Sequence, residues 1–230
     1  ISDDGSGMSE DILDQALKLG SATQKDEMSD LGKYGMGLCT ASISMAKNLQ
    51  VITKQASGDY LYSSQDLDEV VEADDFIKEL RKANKEEIAL FKDHVKADHG
   101  TVVVLSKTDR LTNTNPTIFA NNLAKDMGRI YRKFIEAGIK ISVNGKKVPA
   151  TDPLMTDVEG TQIYSDEEYE VPSRNGKDKI RVKLAILPDV NETLESEMKM
   201  NIRSQGFYVV RNNREIANGE TLDVFKKHND

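Results

Sequence analysis

Three glycine-containing stretches, each beside a segment of helix or strand character, constrain the fold of this chain more than any other feature. They cover residues 3–8, 32–38 and 100–101. Glycine adopts positive φ easily and lets another group approach the main chain closely. Glycines placed beside regular elements therefore predict a binding site built from turns and from the ends of helices and strands.

The first stretch contains, in order, Asp3, Asp4, Gly5, Ser6, Gly7 and Met8. A carboxylate here can accept a hydrogen bond from an exocyclic amine, and the glycines allow the backbone to approach a flat ring. Taken alone, a plain acidic turn is the better explanation. A calcium loop fits poorly, because the alternating acidic ligands and the terminal Glu of an EF-hand are missing.

The second stretch contains Gly32, Lys33, Tyr34, Gly35, Met36, Gly37 and Leu38, and it opens a predicted helix. Glycines before a helix N-terminus expose backbone N–H groups to an anion, and the helix dipole adds positive potential there. The stretch lacks the Gly-Lys-Ser/Thr ending of a P-loop, and no strand leads into it as in a dinucleotide fingerprint. A helix that needs small residues for close packing explains it equally well.

The third stretch, Gly100 and Thr101, leads into an apolar strand at residues 102–105. A hydroxyl at the start of a buried strand can support a nucleotide ring, directly or through water. The simpler interpretation is a β-branched residue in an ordinary strand. This stretch indicates a nucleotide site only when it is considered together with the other two.

The remaining sequence predicts an α+β fold. Ser9 is expected to cap a helix whose apolar face is Ile12, Leu13, Ala16 and Leu17. Predicted strands cover residues 49–53, 58–62 and 101–106, and predicted helices cover residues 34–46, 76–95 (with a break near Asn84) and the segment from Pro116 to Gly138. Hairpin turns are expected at Asn144-Gly145 and Asn175-Gly176, in a region that becomes β-rich after residue 150.

Composition excludes several classes of protein. The chain of 230 residues has no apolar run of the roughly 18 residues that a membrane span needs. Its single cysteine, Cys39, permits no intrachain disulfide and is expected to be a small core residue, and the three histidines lack zinc-ligand spacing. A net charge of -8 does not favour nonspecific DNA binding. We expect a cytoplasmic protein with no membrane partner.

Taken in this order, the three stretches resemble the GHKL superfamily of ATP-binding proteins, which includes gyrase B subunits, heat-shock chaperones, histidine kinases and MutL-like proteins. Residues 20–23 resemble the lid segment of heat-shock and bacterial MORC-like members, and residues 31–54 are particularly similar to the latter. Residues 129–153 and 206–214 also resemble the family. The resemblance implies a Bergerat-type α/β sandwich, with a mixed sheet covered by helices, over residues 1–150. The start of a β-rich, transducer-like domain would follow over residues 151–230.

The resemblance also implies roles for individual residues. Asp3 would bind the adenine amine, Gly5 and Gly7 would line the ring with Met8 packed nearby, and Thr101 would complete the adenine pocket. The amides of residues 34–38 would hold the phosphates, with Gly32 opening the loop and Lys33 adding charge. Asp4 stands where the family often has Asn.

Two further elements of the family would lie outside this chain. The helix that carries the catalytic Glu and the magnesium-binding Asn would precede Ile1, and the usual γ-phosphate Lys would follow Asp230, so we expect a chain trimmed at both ends. Arg211 and Arg214 are available for the phosphate, although a surface role is the simpler expectation.

The implied function is the binding of ATP with Mg²⁺, slow hydrolysis, and closure of a lid at residues 8–31 that drives clamp-like homodimerisation. A DNA-associated MORC-like or MutL-like protein is the first choice. A chaperone-type ATPase and a noncatalytic protein-interaction module are alternatives, and a histidine kinase fits less well because no phosphoacceptor helix pair is visible. Four basic side chains are expected on a solvated helix face, with DNA contact as the alternative: Lys125, Arg129, Arg132 and Lys133.

Overall fold

A five-stranded sheet forms the centre of the first part of the chain. The computed structural model describes residues 1–18, 36–173, 176–192 and 205–224, and the chain divides into two compact units, Ile1–Thr114 and Asn115–Asp230. The strands of the sheet are β1 (Ser2–Asp3), β2 (Ala46–Lys54), β3 (Leu61–Asp66), β4 (Glu79–Lys82) and β5 (Gly100–Thr108). Their spatial order is β1-β5-β2-β3-β4. The sequence predicted a mixed sheet, and each strand pair among the described residues is antiparallel.

Helices pack on both faces of this sheet. They are α1 (Glu10–Ala16), α2 (Gly37–Ile43), α3 (Leu67–Ala73) and α4 (Lys85–His94). One buried cluster joins α1 and α2 to the sheet through Leu13, Leu17, Cys39, Leu49 and Val51. The other joins α4 to the opposite face through Ile52, Tyr62, Phe91, Val95 and Val102. Alternation along β2 produces the two clusters, since Val51 and Ile52 point to opposite faces.

Helix α1 begins as the sequence predicts. Ser9 is the N-cap, and its hydroxyl accepts a hydrogen bond from the N–H of Ile12 at 3.3 Å. Leu13 and Leu17 are fully buried, whereas Ile12 is exposed and does not belong to the core face. The predicted end of this helix at Gly20 lies outside the described residues.

The predicted helix at residues 76–95 is wrong in its first half. Glu79–Lys82 forms the edge strand β4, which pairs with β3, and the helix begins only at Lys85. Asn84 caps it in a capping box with Glu87, so the expected break near Asn84 is the true start of the helix. The helical spacing of the apolar residues before Asn84 was outweighed by pairing with a strand that the local sequence does not reveal.

The bounds of another predicted strand also differ from the sequence prediction. The strand expected at residues 58–62 lies at Leu61–Asp66, because it pairs with β2 in a register that extends to Asp66. The acidic segment that follows forms α3, capped by the Asp66 side chain, which accepts a hydrogen bond from the N–H of Asp68 at 3.0 Å.

The second unit opens with two helices and a short hairpin. Helix α5 (Pro116–Ile130) has Pro116 at its first turn and Asn115 as its cap, which confirms the predicted start. It is followed by α6 (Arg132–Glu136), so the segment predicted as one helix up to Gly138 is divided at Tyr131. Strands β6 (Ser142–Val143) and β7 (Lys146–Lys147) pair across Asn144-Gly145, as predicted, and both turn residues have positive φ.

The remainder of the second unit is β-rich. Strands β8 (Gln162–Ser173) and β9 (Gly176–Ile186) form a long antiparallel ribbon, and β10 (Phe207–Arg211) pairs with β11 (Arg214–Glu220). One face of the ribbon carries charged pairs such as Lys179–Glu168 and Arg181–Asp166. The predicted α+β class with a β-rich second part is confirmed. The predicted domain boundary after residue 150 stays a prediction; the two compact units divide after Thr114.

Two of the four basic residues expected on a solvated face are instead internal. Arg132 is only 6% exposed and forms an ion pair with Glu215, which is 5% exposed. Arg129 pairs with the same carboxylate. The prediction is therefore wrong for these two residues, because a carboxylate on a distant strand draws both guanidinium groups inward. Lys125 and Lys133 are exposed as expected.

Candidate functional site

The first glycine-containing stretch forms a turn at the end of β1. Asp3 is the last residue of that strand, and its Oδ1 accepts a hydrogen bond from the N–H of Gly5 at 2.9 Å. The ring of His99 lies at the same turn, with Nδ1 2.7 Å from the carbonyl oxygen of Gly5. The sequence predicts no role for His99, so this contact was missed.

Two glycines hold this turn against the sheet. Gly7 has φ +69°, and a Cβ there would lie 2.0 Å from the carbonyl oxygen of Lys54 on β2. Gly100 has φ +144°, and a Cβ there would lie 2.2 Å from the carbonyl oxygen of Asp3. Both positions require glycine for conformation and for space. The first and third stretches thus meet at the same end of the sheet.

Asp3, Thr101 and Thr53 form a row across three neighbouring strands. Asp3 on β1 is directly opposite Thr101 on β5, and Thr101 is directly opposite Thr53 on β2. Directly opposite residues in antiparallel strands project to the same face. Alternation along β2 places Thr53 on the face of Leu49 and Val51, the face that α1 and α2 cover.

The hydroxyl of Thr53 connects the first glycine-containing stretch to the third. Thr53 is fully buried, and its Oγ1 accepts a hydrogen bond from the N–H of Met8 at 3.0 Å. The same hydroxyl donates to the carbonyl oxygen of Gly100 at 3.0 Å and lies 3.1 Å from Oγ1 of Thr101. Sequence reasoning missed Thr53. The available signal was a hydroxyl that follows Leu49 and Val51 in the core-facing alternation of β2.

Lys54 stabilises the segment that leads into β5. Its Nζ donates to the carbonyl oxygens of Asp98 at 2.9 Å and Gln55 at 3.0 Å. The side chain is therefore directed toward backbone carbonyls, and it fixes the approach to Gly100.

The second stretch is only partly described. Gly32, Lys33, Tyr34 and Gly35, together with most of the predicted lid, lie outside the described residues. Met36 precedes α2, and Gly37 and Leu38 are its first two residues. Met8 and Leu38 pack against the same buried cluster, so the first and second stretches lie on one face of the sheet.

Residues 1–101 match the family model for the histidine kinase-, DNA gyrase B-, and HSP90-like ATPases. The match supports the GHKL superfamily and, in general terms, ATP binding and hydrolysis. Together with the sheet and its helices, it confirms the predicted Bergerat-type fold. No curated protein matches the chain.

The chemistry of the row fits the adenine part of ATP. Asp3 offers a carboxylate and Thr101 a hydroxyl at directly opposite positions of the row, and both can accept hydrogen bonds from an exocyclic amine. A magnesium ion has no comparable site among the residues that the structure describes. Within the described ranges, no group of three His, Cys, Asp or Glu side chains is placed to hold a metal ion.

The structure also bears on the predictions for Cys39, for Arg214 and for membrane-spanning segments. Cys39 is fully buried, as expected, and burial raises the pKa of its thiol. Arg214 lies with its guanidinium carbon 5.7 Å from the centre of the Tyr131 ring, which is a packing contact. None of the helices that the structure describes combines the length and apolar content needed to cross a membrane.

Proposed function

We propose that the first unit binds ATP with its adenine against the row of Asp3, Thr101 and Thr53. The observation that supports this is the register of β1, β5 and β2, which places these three residues side by side on the face covered by α1 and α2. The Asp3 carboxylate accepts a hydrogen bond from the exocyclic amine. Gly5 and Gly7 line the ring, Met8 packs beside it, and Thr101 completes the pocket.

The phosphates are assigned to the second stretch. The backbone amides of residues 34–38 hold them, Gly32 and Gly35 let the loop approach, and Lys33 contributes positive charge. The assignment rests on the family resemblance together with the shared core contacts of Met8 and Leu38.

Hydrolysis is slow, as the resemblance implies. ATP acts mainly as a switch. It favours a closed lid over residues 8–31 to the extent that it binds the closed state more tightly than the open one.

The output of this switch is clamp-like homodimerisation in a DNA-associated protein of the MORC-like or MutL-like kind. The resemblance of residues 31–54 supports this choice. The charge distribution does not support DNA binding, because the net charge is -8 and Arg129 and Arg132 are paired with Glu215. The DNA role therefore rests on resemblance alone. A chaperone-type ATPase and a noncatalytic interaction module are the alternatives.

Calorimetry with ATP and a nonhydrolysable analogue tests the nucleotide site. The natural full-length protein is compared with Asp3→Asn and with Asp4→Asn, a matched control that removes the neighbouring charge. We expect Asp3→Asn to abolish detectable binding and Asp4→Asn to preserve it, because Asn is common in the family at the second position. Equal binding by both variants would refute the adenine assignment. If the full-length protein binds no nucleotide, the interaction module becomes the better explanation.

A further inference from the structure

The hydrogen bonds around the Thr53 hydroxyl have fixed directions. A hydroxyl has one proton to donate and two lone pairs to accept with. The N–H of Met8, 3.0 Å away, can only donate to Thr53. The carbonyl oxygen of Gly100, also 3.0 Å away, can only accept from it. The single proton of Thr53 is therefore used on Gly100.

This leaves one arrangement for the pair formed by the two threonines. Their oxygens are 3.1 Å apart, so one hydroxyl must donate to the other. Because the proton of Thr53 points to Gly100, the donor is Thr101. In the opposite arrangement the oxygen of Thr53 and the carbonyl oxygen of Gly100 would face each other at 3.0 Å with no proton between them, which is repulsive.

The consequence appears on the ligand side of Thr101. With its proton directed to Thr53, its oxygen presents only lone pairs to anything that approaches the row. Asp3, directly opposite on β1, presents a carboxylate, which is also an acceptor. These two neighbouring positions therefore accept hydrogen bonds and donate none.

We propose that Thr53 is a positioning residue that makes this row acceptor-only and thereby selects a purine with an amino group at C6 over one with a carbonyl group. The inference rests on the proposed function, in which the row holds the base. An exocyclic amine has two protons, one for Asp3 and one for Thr101. The oxygen of hypoxanthine or guanine at the same position would face two acceptors, and a site built for hydrogen bonding rejects such an analogue strongly.

The test compares the dissociation constants of ATP and ITP, which differ at C6, for the full-length protein and its Thr53→Val and Thr53→Ser variants. We expect the unmodified protein to prefer ATP by at least about 100-fold. Thr53→Val keeps the branched shape and frees the proton of Thr101 to donate to the oxygen of ITP, so the preference falls about tenfold. Thr53→Ser retains the hydroxyl and restores the preference.

The ratio of the two constants separates positioning from stability. Partial unfolding of a variant weakens both nucleotides by the same factor, so the ratio does not change. An unchanged ratio in Thr53→Val overturns the inference and leaves the proposed ATP site intact. Equal binding of ATP and ITP by the unmodified protein also overturns the inference and leaves the proposed ATP site intact. This result does not depend on whether the Thr53→Val variant folds. If neither ATP nor ITP binds, the proposed function itself is wrong.

Discussion

Arg132 and Glu215 are 83 positions apart in the chain and form a buried ion pair that connects α6 to β11, with 2.5 Å between nitrogen and oxygen. Arg129 adds a second guanidinium group to the same carboxylate. A single buried carboxylate therefore pairs with two guanidinium groups inside the second unit, and Asp126 lies 3.9 Å from Arg129 as well. Removing one partner of such a buried group leaves an uncompensated charge, which is far more costly than losing an exposed pair.

Glu215→Gln is expected to destabilise the protein by about 3–5 kcal/mol, because both arginines lose their buried carboxylate partner. Urea unfolding measures this change. Glu136→Gln is the control, since its pair with Lys133 at 2.9 Å is about half exposed and is worth at most about 1 kcal/mol. A loss in Glu215→Gln no larger than that of the control would contradict the assigned burial.

Gly7→Ala is expected to destabilise the first unit by about 1–3 kcal/mol or more and to abolish nucleotide binding. Alanine is strained at φ +69°, and its Cβ would overlap the carbonyl oxygen of Lys54. Urea unfolding and calorimetry measure the two effects. Gly58→Ala is the matched control, because a Cβ there meets open space. Normal stability and binding in Gly7→Ala would show that the turn does not lie against β2.

Asp66 is expected to make stability fall in acid. Hydrogen bonds from Lys107 at 2.8 Å and from Asn48 at 2.9 Å lower the pKa of its carboxyl from 3.8 to about 2. A lowered pKa in the folded state means that the unfolded chain binds the proton more readily, so the stabilisation is complete above about pH 4. It is lost as the pH falls from there toward 2.

Urea midpoints measured between pH 2 and pH 6 test this dependence. Asp66→Asn should be less stable at neutral pH and should lose less stability on acidification than the unmodified protein. Glu72→Gln, which removes an exposed carboxylate in α3, should follow the unmodified profile. Parallel profiles for all three proteins would mean that Asp66 does not contribute.

Cys39 is expected to resist thiol reagents in the folded protein. The thiolate is the reactive form, and burial both raises the pKa of this thiol and blocks access to it. The labelling rate at pH 8 should rise by at least about 100-fold in concentrated urea, where the chain is unfolded. Labelling of the native protein at the rate of an unfolded chain would place Cys39 outside the core.

Local chemistry made several features of the fold predictable. Ser9 marks a helix start by its side chain, Pro116 by its ring, and Asn144-Gly145 marks a turn by its tolerance of positive φ. Each of these signals depends on neighbouring residues only. The structure confirms all three.

The features that were missed depend on distant partners. Glu79–Lys82 has helix-compatible spacing but pairs with β3, and Arg132 lies on a plausible surface stripe but meets Glu215. Thr53 looks like an ordinary strand residue until the register places it beside Thr101. The sequence indicated Asp3 and Thr101 through their glycine neighbours, whereas the Thr53 hydroxyl beside Thr101 has no glycine neighbour to mark it.

The strand that carries Asp3 lies at the edge of the sheet and pairs only with β5 among the described strands. Just before it, the carbonyl oxygen of Ile1 accepts a hydrogen bond from the N–H of Val103 at 2.7 Å. Edge strands open locally at lower free energy than a sheet centre. A ligand that needs Asp3 in place must suppress this fraying, so its binding should slow hydrogen exchange at Val103. Part of the recognition energy would thus be spent on closing the edge of the sheet.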